Sequence, residues 1–451
     1  MSTLLHALQQ RRQTLTQMTS QHWPRHPLHV YIDHDALDRL PALLMQSHVK
    51  QAYLIMSEVP IMREGYPLKP YIHQLALQAK IRIEPIYVNS FASSDQAQRV
   101  ATRLRCSSAV ISIGSGQITD LCKQVCHLYE QETGHALYFV AIPTANSVTS
   151  YASHLTSIWH RDVKVSMPAR SPDVILADLR TLHSAPPDLS RSGLGDLAAK
   201  FVALADWYLA ASLGLGDPFE PRALDWLKPI DQLYDEWPPQ GGPLDSFYQT
   251  HVLCEALLVA GLTMSVLHQS TPLSGFEHVA THALDIWRRQ RKGESGSHGI
   301  HVAAFSAMAS HMWEALFAGP TPNLAAPTRS ALQEIVISQF TALDPTNRLG
   351  HQFWQVYSEK LQNWEQMSTH IAQRTATWDE SLKPHLATLL KPSRWIESSL
   401  QRAGLPLRFT AINPPISPAE YLWAMGSAPF IRKRFTLGDL QISNPWMKAS
   451  S

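Results

Sequence analysis

Cysteine is scarce in this chain. There are four, Cys106, Cys122, Cys126 and Cys254, in 451 residues, and no two are spaced as CxxC. This excludes a disulfide-stapled scaffold and a cysteine zinc knuckle, and it predicts reduced thiols in a cytoplasmic setting. An excess of one charge sign is also lacking: 38 Lys and Arg stand against 37 Asp and Glu, a formal net charge of +1. Composition therefore makes no electrostatic case for nucleic acid or an anionic membrane surface. No uninterrupted apolar run reaches membrane-spanning length. The opening MSTLLHALQQRRQTL has no apolar core of signal-peptide size and no small-residue cleavage site. A GxGxxG fingerprint and the Lys-Ser/Thr of a Walker loop are missing too, as are internal repeats and a low-complexity tail.

What is present is a packed globular chain, 45% apolar and 17% charged, with thirteen tryptophans to anchor cores and interfaces. Its length predicts two or three domains. In the first half, β-compatible runs alternate with helical ones. LHVYIDH, QAYLIMSEV, IRIEPIYVN, SAVISIG, ALYFVAIPT and PDVILADL are the expected strands. The alternation predicts a parallel sheet with helices on both faces. From about Leu189 the texture changes to Ala, Leu, Trp and Gln at helical spacing, as in LAAKFVALADWYLAASL and HVAAFSAMASHMWEALF, broken by WPPQGGPLD and FAGPTPNLAAP. The expected division is an α/β dinucleotide-binding domain over 1–187 and a helical metal and substrate domain over 188–451.

Four stretches carry candidate chemistry. The strand SAVISIG runs into Gly114, Ser115 and Gly116, a tight turn at a helix start where free N–H groups and the helix dipole suit a pyrophosphate. The same three residues would equally serve as a plain turn. Glu58, closing the second strand, could accept hydrogen bonds from a ribose diol and would then favour NAD over NADP; otherwise it is a solvated loop carboxylate. The stretch SGFEHVATHALDIWRRQRKGESGSHGIHV places His278 and His282 one helical turn apart, with His298 and His301 beyond a Gly-Ser-rich break. Imidazole is the commonest metal ligand near neutral pH. Asp196, after Gly193 and Gly195 and ahead of an Ala-rich helix, is a third donor or simply an N-cap.

Four stretches taken in order, IGSGQITDLCK, IPTANSVTSYAS, SPDVILADL with SGLGDLAAKFVALADW, and PLSGFEHVATHALD with HGIHVA, resemble the sn-glycerol-1-phosphate dehydrogenase family. That family lies within the iron-containing alcohol dehydrogenase and dehydroquinate synthase-like superfamily. FIRKRFTLGDL is similar to its closing segment, so the likeness runs from about residue 28 to about 445. The resemblance implies a dehydroquinate synthase-like fold, NAD(H) or NADP(H), and one divalent metal, zinc or nickel. It implies Asp196, His282 and His298 as metal ligands, the two histidines 16 residues apart, and Lys200 on a helix position the family also fills with Lys. For the cofactor it implies Gly114, Ser115, Gly116 and Gln117 at the pyrophosphate, Thr144 and Ser147 on the nicotinamide side, Ser153 and Leu155 at ribose and nicotinamide, and Lys164 near the reacting centre.

Two departures accompany it. Thr149 and Ser150 stand where the family has Asp and Gly, and Ile300 stands where it has an acid after the His-Gly pair. The implied reaction is hydride exchange between nicotinamide and a secondary alcohol carbon, with a phosphorylated polyol or ketone as the small-molecule partner, neither nucleic acid nor membrane, and a homo-oligomer compatible with it. His278 becomes a relay or a neighbour of the metal site. The alternatives are a cyclase or lyase of the same fold acting on a sugar phosphate, and a homologue that binds without turnover.

Overall fold

In the computed structural model of this chain, residues 3–89, 91–238, 246–444 and 447 are described. Part of the expected break WPPQGGPLD lies outside them. Two compact units emerge: residues 1–197, 223–236 and 242–268 form one, and 198–222, 237–241 and 269–451 form the other. The expected division at 187/188 follows a change in composition. The compact units instead exchange the chain several times, and the helix Phe247–Leu267 belongs with the first.

The first unit is built on a six-stranded sheet. Its strands are β1 (His29–Asp33), β2 (Gln51–Met56), β3 (Arg82–Tyr87), β4 (Ser108–Gly114), β5 (Tyr138–Pro143) and, after a hairpin of β6 (Leu155–His160) and β7 (Val163–Pro168), β8 (Val174–Asp178). The order is β1-β8-β5-β4-β2-β3, and every pairing is parallel. β2 and β4 are buried at every residue, which is why their sequences are continuous apolar runs instead of alternating ones. All six expected strands are present in that sheet. Leu54, Ile111, Ile113, Val140 and Leu176 form its packed centre with Leu40 and Ile72 of the flanking helices.

The hairpin β6–β7 has no counterpart in the sequence reading. Arg161 and Asp162 take φ values of 47° and 66°, the two left-handed residues that a tight two-residue hairpin turn requires. Phe247–Leu267 is the one described helix long and apolar enough to cross a membrane, and 89% of its apolar window is buried inside the protein. Its Thr250 carbonyl accepts from Asn146, and its Ser265 hydroxyl accepts from the His154 N–H, so it serves as a core helix of this unit.

Among its described residues the second unit holds helices and no strand. Its main members here are Lys200–Ser212, Phe276–Gln290, His298–Ala318, Arg348–Gln366 and the closing Leu437–Ser443. The buried Lys360 ammonium lies 2.6 Å from Asp439 and also donates to the Arg434 carbonyl, which ties the closing segment to the body of the unit.

Candidate functional site

In the first unit, the GSG turn stands where the sequence places it. Gly114 ends β4 and Gly116 opens the helix Gly116–Thr133, with Ser115 between them as N-cap and no side-chain cap bond. A Cβ on Gly116 would lie 2.4 Å from Val148 Cγ2, so the missing side chain is what lets the 144–150 loop close against the helix start. Gln117 is exposed at this end and Ser115 half-exposed. The turn thus offers a helix terminus of backbone N–H groups beside a glycine cradle, the donor set a pyrophosphate takes.

Asp120, a possible source of repulsion for an anion here, is engaged elsewhere. Lys123 donates to its Oδ1 at 2.8 Å and to the Ser150 carbonyl at 2.9 Å. Lys123 is fully buried, and desolvation lowers its pKa while Asp120 opposes that shift. The sequence reading missed Lys123; the i, i+3 spacing of the pair was its only trace.

The 144–150 loop is fixed from several sides. Thr144 donates its N–H to the Gly114 carbonyl at 3.1 Å. The Ser147 hydroxyl lies 3.2 Å from that of Tyr151, which donates to the Ala145 carbonyl. Burial pushes the Tyr151 phenol above its usual range. Ser192 donates to the Ser147 carbonyl, and a Cβ on Gly193 would lie 2.1 Å from the Asn146 oxygen. Ser153 is buried and accepts the Leu155 N–H at 3.0 Å; Lys164 sits half-buried on β7, in register with Trp159.

Asp196 differs from expectation in its local setting. It is the penultimate residue of the helix Pro187–Leu197, while the Ala-rich helix starts at Lys200 with Ala199 as its N-cap. Asp196 is therefore not an N-cap. It is buried at 3% exposure, and its Oδ2 accepts the Thr149 N–H at 2.8 Å. Glu58 is exposed and lines a cavity of about 400 Å³ with Ser57, Val59, Tyr87, Val88 and Asn89, at the carboxyl ends of β2 and β3. Open parallel sheets hold ligands at that end. Lys69, unnoticed in the sequence, donates to the Ser57 and Val59 carbonyls on either side of Glu58.

In the second unit, the histidines gather. His278 and His282 are buried on the helix Phe276–Gln290, and His298 is the first residue of the helix His298–Ala318. The His-Gly pair therefore opens a helix. Ring centroids are 5.4 Å apart for His278–His298, 5.3 Å for His282–His298 and 6.3 Å for His278–His282. His282, Asp285 and His298 each offer a ligand atom within 4.8 Å of the others. Two imidazoles and a carboxylate are donors of the kind that zinc, nickel and iron accept. Asp285 lies 3.6 Å from His282 Nδ1, and Glu277 lies 2.9 Å from His278 Nδ1. Neither acid was singled out in the sequence, although each occupies a helical position near a histidine. Lys200 is buried, with its ammonium 5.4 Å from the Phe201 ring centre. His301 is fully buried, packed under Gly296.

Comparison with known proteins follows the same lines. The profile of the iron-containing alcohol dehydrogenase family matches residues 31–186. A glycerol-1-phosphate dehydrogenase of Metallosphaera sedula is 30% identical over 274 residues, 58% of this chain and 71% of that protein. Its namesake in Sulfurisphaera tokodaii is 28% identical over 270 residues, again 58% and 71%, and that of Bacillus subtilis 26% over 268 residues, 59% and 66%. The structure of an iron-containing alcohol dehydrogenase from Thermococcus thioreducens superposes with a TM-score of 0.57 at 13% identity, covering 94% of this chain and 99% of that one, a likeness of fold. By sequence over most of such a relative's length, the chain belongs to the glycerol-1-phosphate dehydrogenase family of the iron-containing alcohol dehydrogenases.

Proposed function

We propose that the protein is a metal-dependent NAD(P)(H)-linked dehydrogenase that interconverts a phosphorylated polyol, such as sn-glycerol 1-phosphate, and its ketone, such as dihydroxyacetone phosphate. The observation that carries this reading is family membership joined to a glycine-cradled helix start and a histidine cluster. A bound divalent cation, with zinc or nickel as the proposed choice, supplies Lewis acidity to the substrate oxygen, and the nicotinamide supplies or takes the hydride.

The chain's own residues bind and orient. The Gly114–Gln117 turn holds the pyrophosphate through backbone N–H groups. Thr144 and Ser147 hold the nicotinamide side, while Ser153, Leu155 and Lys164 line the adjoining ribose and substrate side. Glu58 receives the adenosine ribose. Asp196, His282 and His298 are the proposed cation ligands. Lys200 lies near the start of the helix that follows Asp196 and contributes positive charge for an anionic substrate. His278 holds or passes the proton that leaves the substrate hydroxyl.

A second reading of the histidine pair has its own support. Glu277 Oε1 lies 2.9 Å from His278 Nδ1; with the carboxylate as acceptor there, Nε2 is the basic nitrogen, the arrangement usual for a ligating imidazole. His278 would then hold the cation and His282, beside Asp285, the proton. His282→Ala and His278→Ala separate the two: the variant that loses its bound metal by elemental analysis identifies the ligand. The activity itself is tested by elemental analysis of the purified protein alongside NADH and NADPH oxidation with dihydroxyacetone phosphate. A protein that carries no divalent metal and oxidises neither cofactor refutes the proposal.

A further inference from the structure

Glu277 is fully buried in the first turn of the helix Phe276–Gln290. Such a carboxylate costs several kcal/mol of desolvation unless its oxygens are used. One of them is. Oε1 accepts the N–H of Gly275, the N-cap residue, at 2.7 Å, and lies 2.9 Å from His278 Nδ1. The other, Oε2, has no hydrogen-bond partner among the described residues. An ionised carboxylate can only accept, so with Glu277 ionised the contact requires the imidazole proton on Nδ1.

The surroundings hold this carboxylate in place. Asp206, from the helix Lys200–Ser212, accepts the Phe276 N–H at 2.6 Å and the Leu437 N–H at 2.7 Å, which fixes the start of the histidine helix against two other segments. Burial first, and Glu277 next, push the Asp206 carboxyl up to about 8. The half-buried guanidinium of Arg434 donates to Ser270 Oγ at 2.7 Å and to the Ser274 carbonyl, bracing the turn that leads into Gly275. Gly275 is required here: a Cβ would lie 2.5 Å from Asp206 Oδ2 and 2.9 Å from Glu277 Oε2.

We propose that Glu277 is a positioning residue that acts through His278: it locks that imidazole as the Nδ1–H tautomer and makes Nε2 the basic nitrogen offered to a divalent cation. The proposal rests on the second reading above, in which His278 and not His282 holds the cation, but its tautomer half does not need a metal. Removing such an acceptor weakens metal binding 10- to 100-fold where it has been altered in comparable sites.

Two measurements on the full chain test it. Long-range ¹⁵N–¹H spectra of the metal-free protein, with the His278 signals identified by their loss in His278→Gln, are expected to show protonation at Nδ1 in the wild type and a shift toward Nε2 in Glu277→Ala. Chelator competition with Zn²⁺ and Ni²⁺ is expected to show affinity nearly 100-fold lower for Glu277→Ala and about tenfold lower for Glu277→Gln, which keeps an acceptor oxygen but loses the charge. Should the Ala variant not fold, the Gln variant carries the affinity test. Nε2 protonation in the wild type, or unchanged cation affinity in a folded variant, overturns the proposal. A wild type with the Nδ1–H tautomer that binds neither cation leaves Glu277's role standing and sinks the metal-dependent reading instead.

Discussion

A single methyl group at Gly193 should disable the protein through the 144–150 loop. Gly193 lies in the helix Pro187–Leu197, three residues before Asp196, and its absent Cβ would sit 2.1 Å from the Asn146 carbonyl oxygen, 2.9 Å from its carbon and 3.1 Å from Leu257 Cδ1. Carbon and oxygen tolerate an approach of about 3.4 Å, so backbone must move by roughly 1.3 Å to admit the methyl. The first two atoms are backbone and cannot rotate away. The displaced segment includes Thr144 and Ser147, and its Thr149 N–H is the donor to Asp196. Overpacking of this kind costs about 1–3 kcal/mol of stability, while a 1 Å misplacement of a positioning element costs on the order of 100-fold in turnover. Gly193→Ala should therefore unfold at a lower denaturant midpoint, yet remain folded at 25 °C with kcat on dihydroxyacetone phosphate reduced about 100-fold. Far-UV circular dichroism, denaturant titration and steady-state NADH oxidation measure the three quantities. A folded Gly193→Ala with wild-type kcat would refute the reasoning, because it would show that the loop's position does not matter to the chemistry.

Further outcomes are expected from other parts of the molecule. NADH should bind more tightly than NADPH by tryptophan fluorescence, and Glu58→Gln should narrow the difference; tighter NADPH binding by the wild type removes Glu58 from the ribose. Because the folded Asp206 carboxyl stands at about 8 against an ordinary 3.8, the native state binds the extra proton, and stability should fall as pH rises from about 4 to about 8. Asp206→Asn should flatten that slope in denaturant midpoints, and an equally steep slope in the variant would assign it to other groups. Wild-type turnover of dihydroxyacetone phosphate should be low for the family and should rise in Thr149→Asp with Ser150→Gly; a wild type already as fast as its relatives shows that these departures are neutral.

The parallel sheet was legible because strands buried on both faces must be apolar without interruption, as β2 and β4 are. The hairpin β6–β7 was not. Its turn residues are Arg161 and Asp162, a pair without the Asn-Gly or Asp-Gly chemistry that normally announces two left-handed residues. The helix Phe247–Leu267 was recognisable as a helix, but nothing in an all-round apolar surface tells which core will receive it. Lys123, Glu277, Asp285 and Asp206 went unnoticed for a related reason. Their roles depend on partners fixed by tertiary structure, such as the Ser150 carbonyl for Lys123 and the Leu437 N–H for Asp206. Residue type and spacing carry no record of such partners.

The departures at Thr149, Ser150 and Ile300 can be placed by asking which atoms at those positions the fold uses. Thr149 contributes its N–H to Asp196, and its carbonyl fills the space that a Cβ on Gly261 would need, 2.3 Å away. Ser150 contributes its carbonyl to Lys123. These are backbone atoms, and an Asp-Gly pair at the same positions would supply the same ones. Ile300 is buried in the first turn of the helix that His298 opens, where an acid would bring a charge needing its own partner. The frame that orients Asp196 and the loop is thus independent of the side chains that have changed. What has changed is the set of polar side chains available to a substrate, and a site that hydrogen-bonds a substrate hydroxyl discriminates by orders of magnitude against one that does not. Divergence from the family therefore bears on substrate recognition, while the Gly114–Gly116 turn and the histidine cluster keep the residues that the proposed pyrophosphate and cation sites would use.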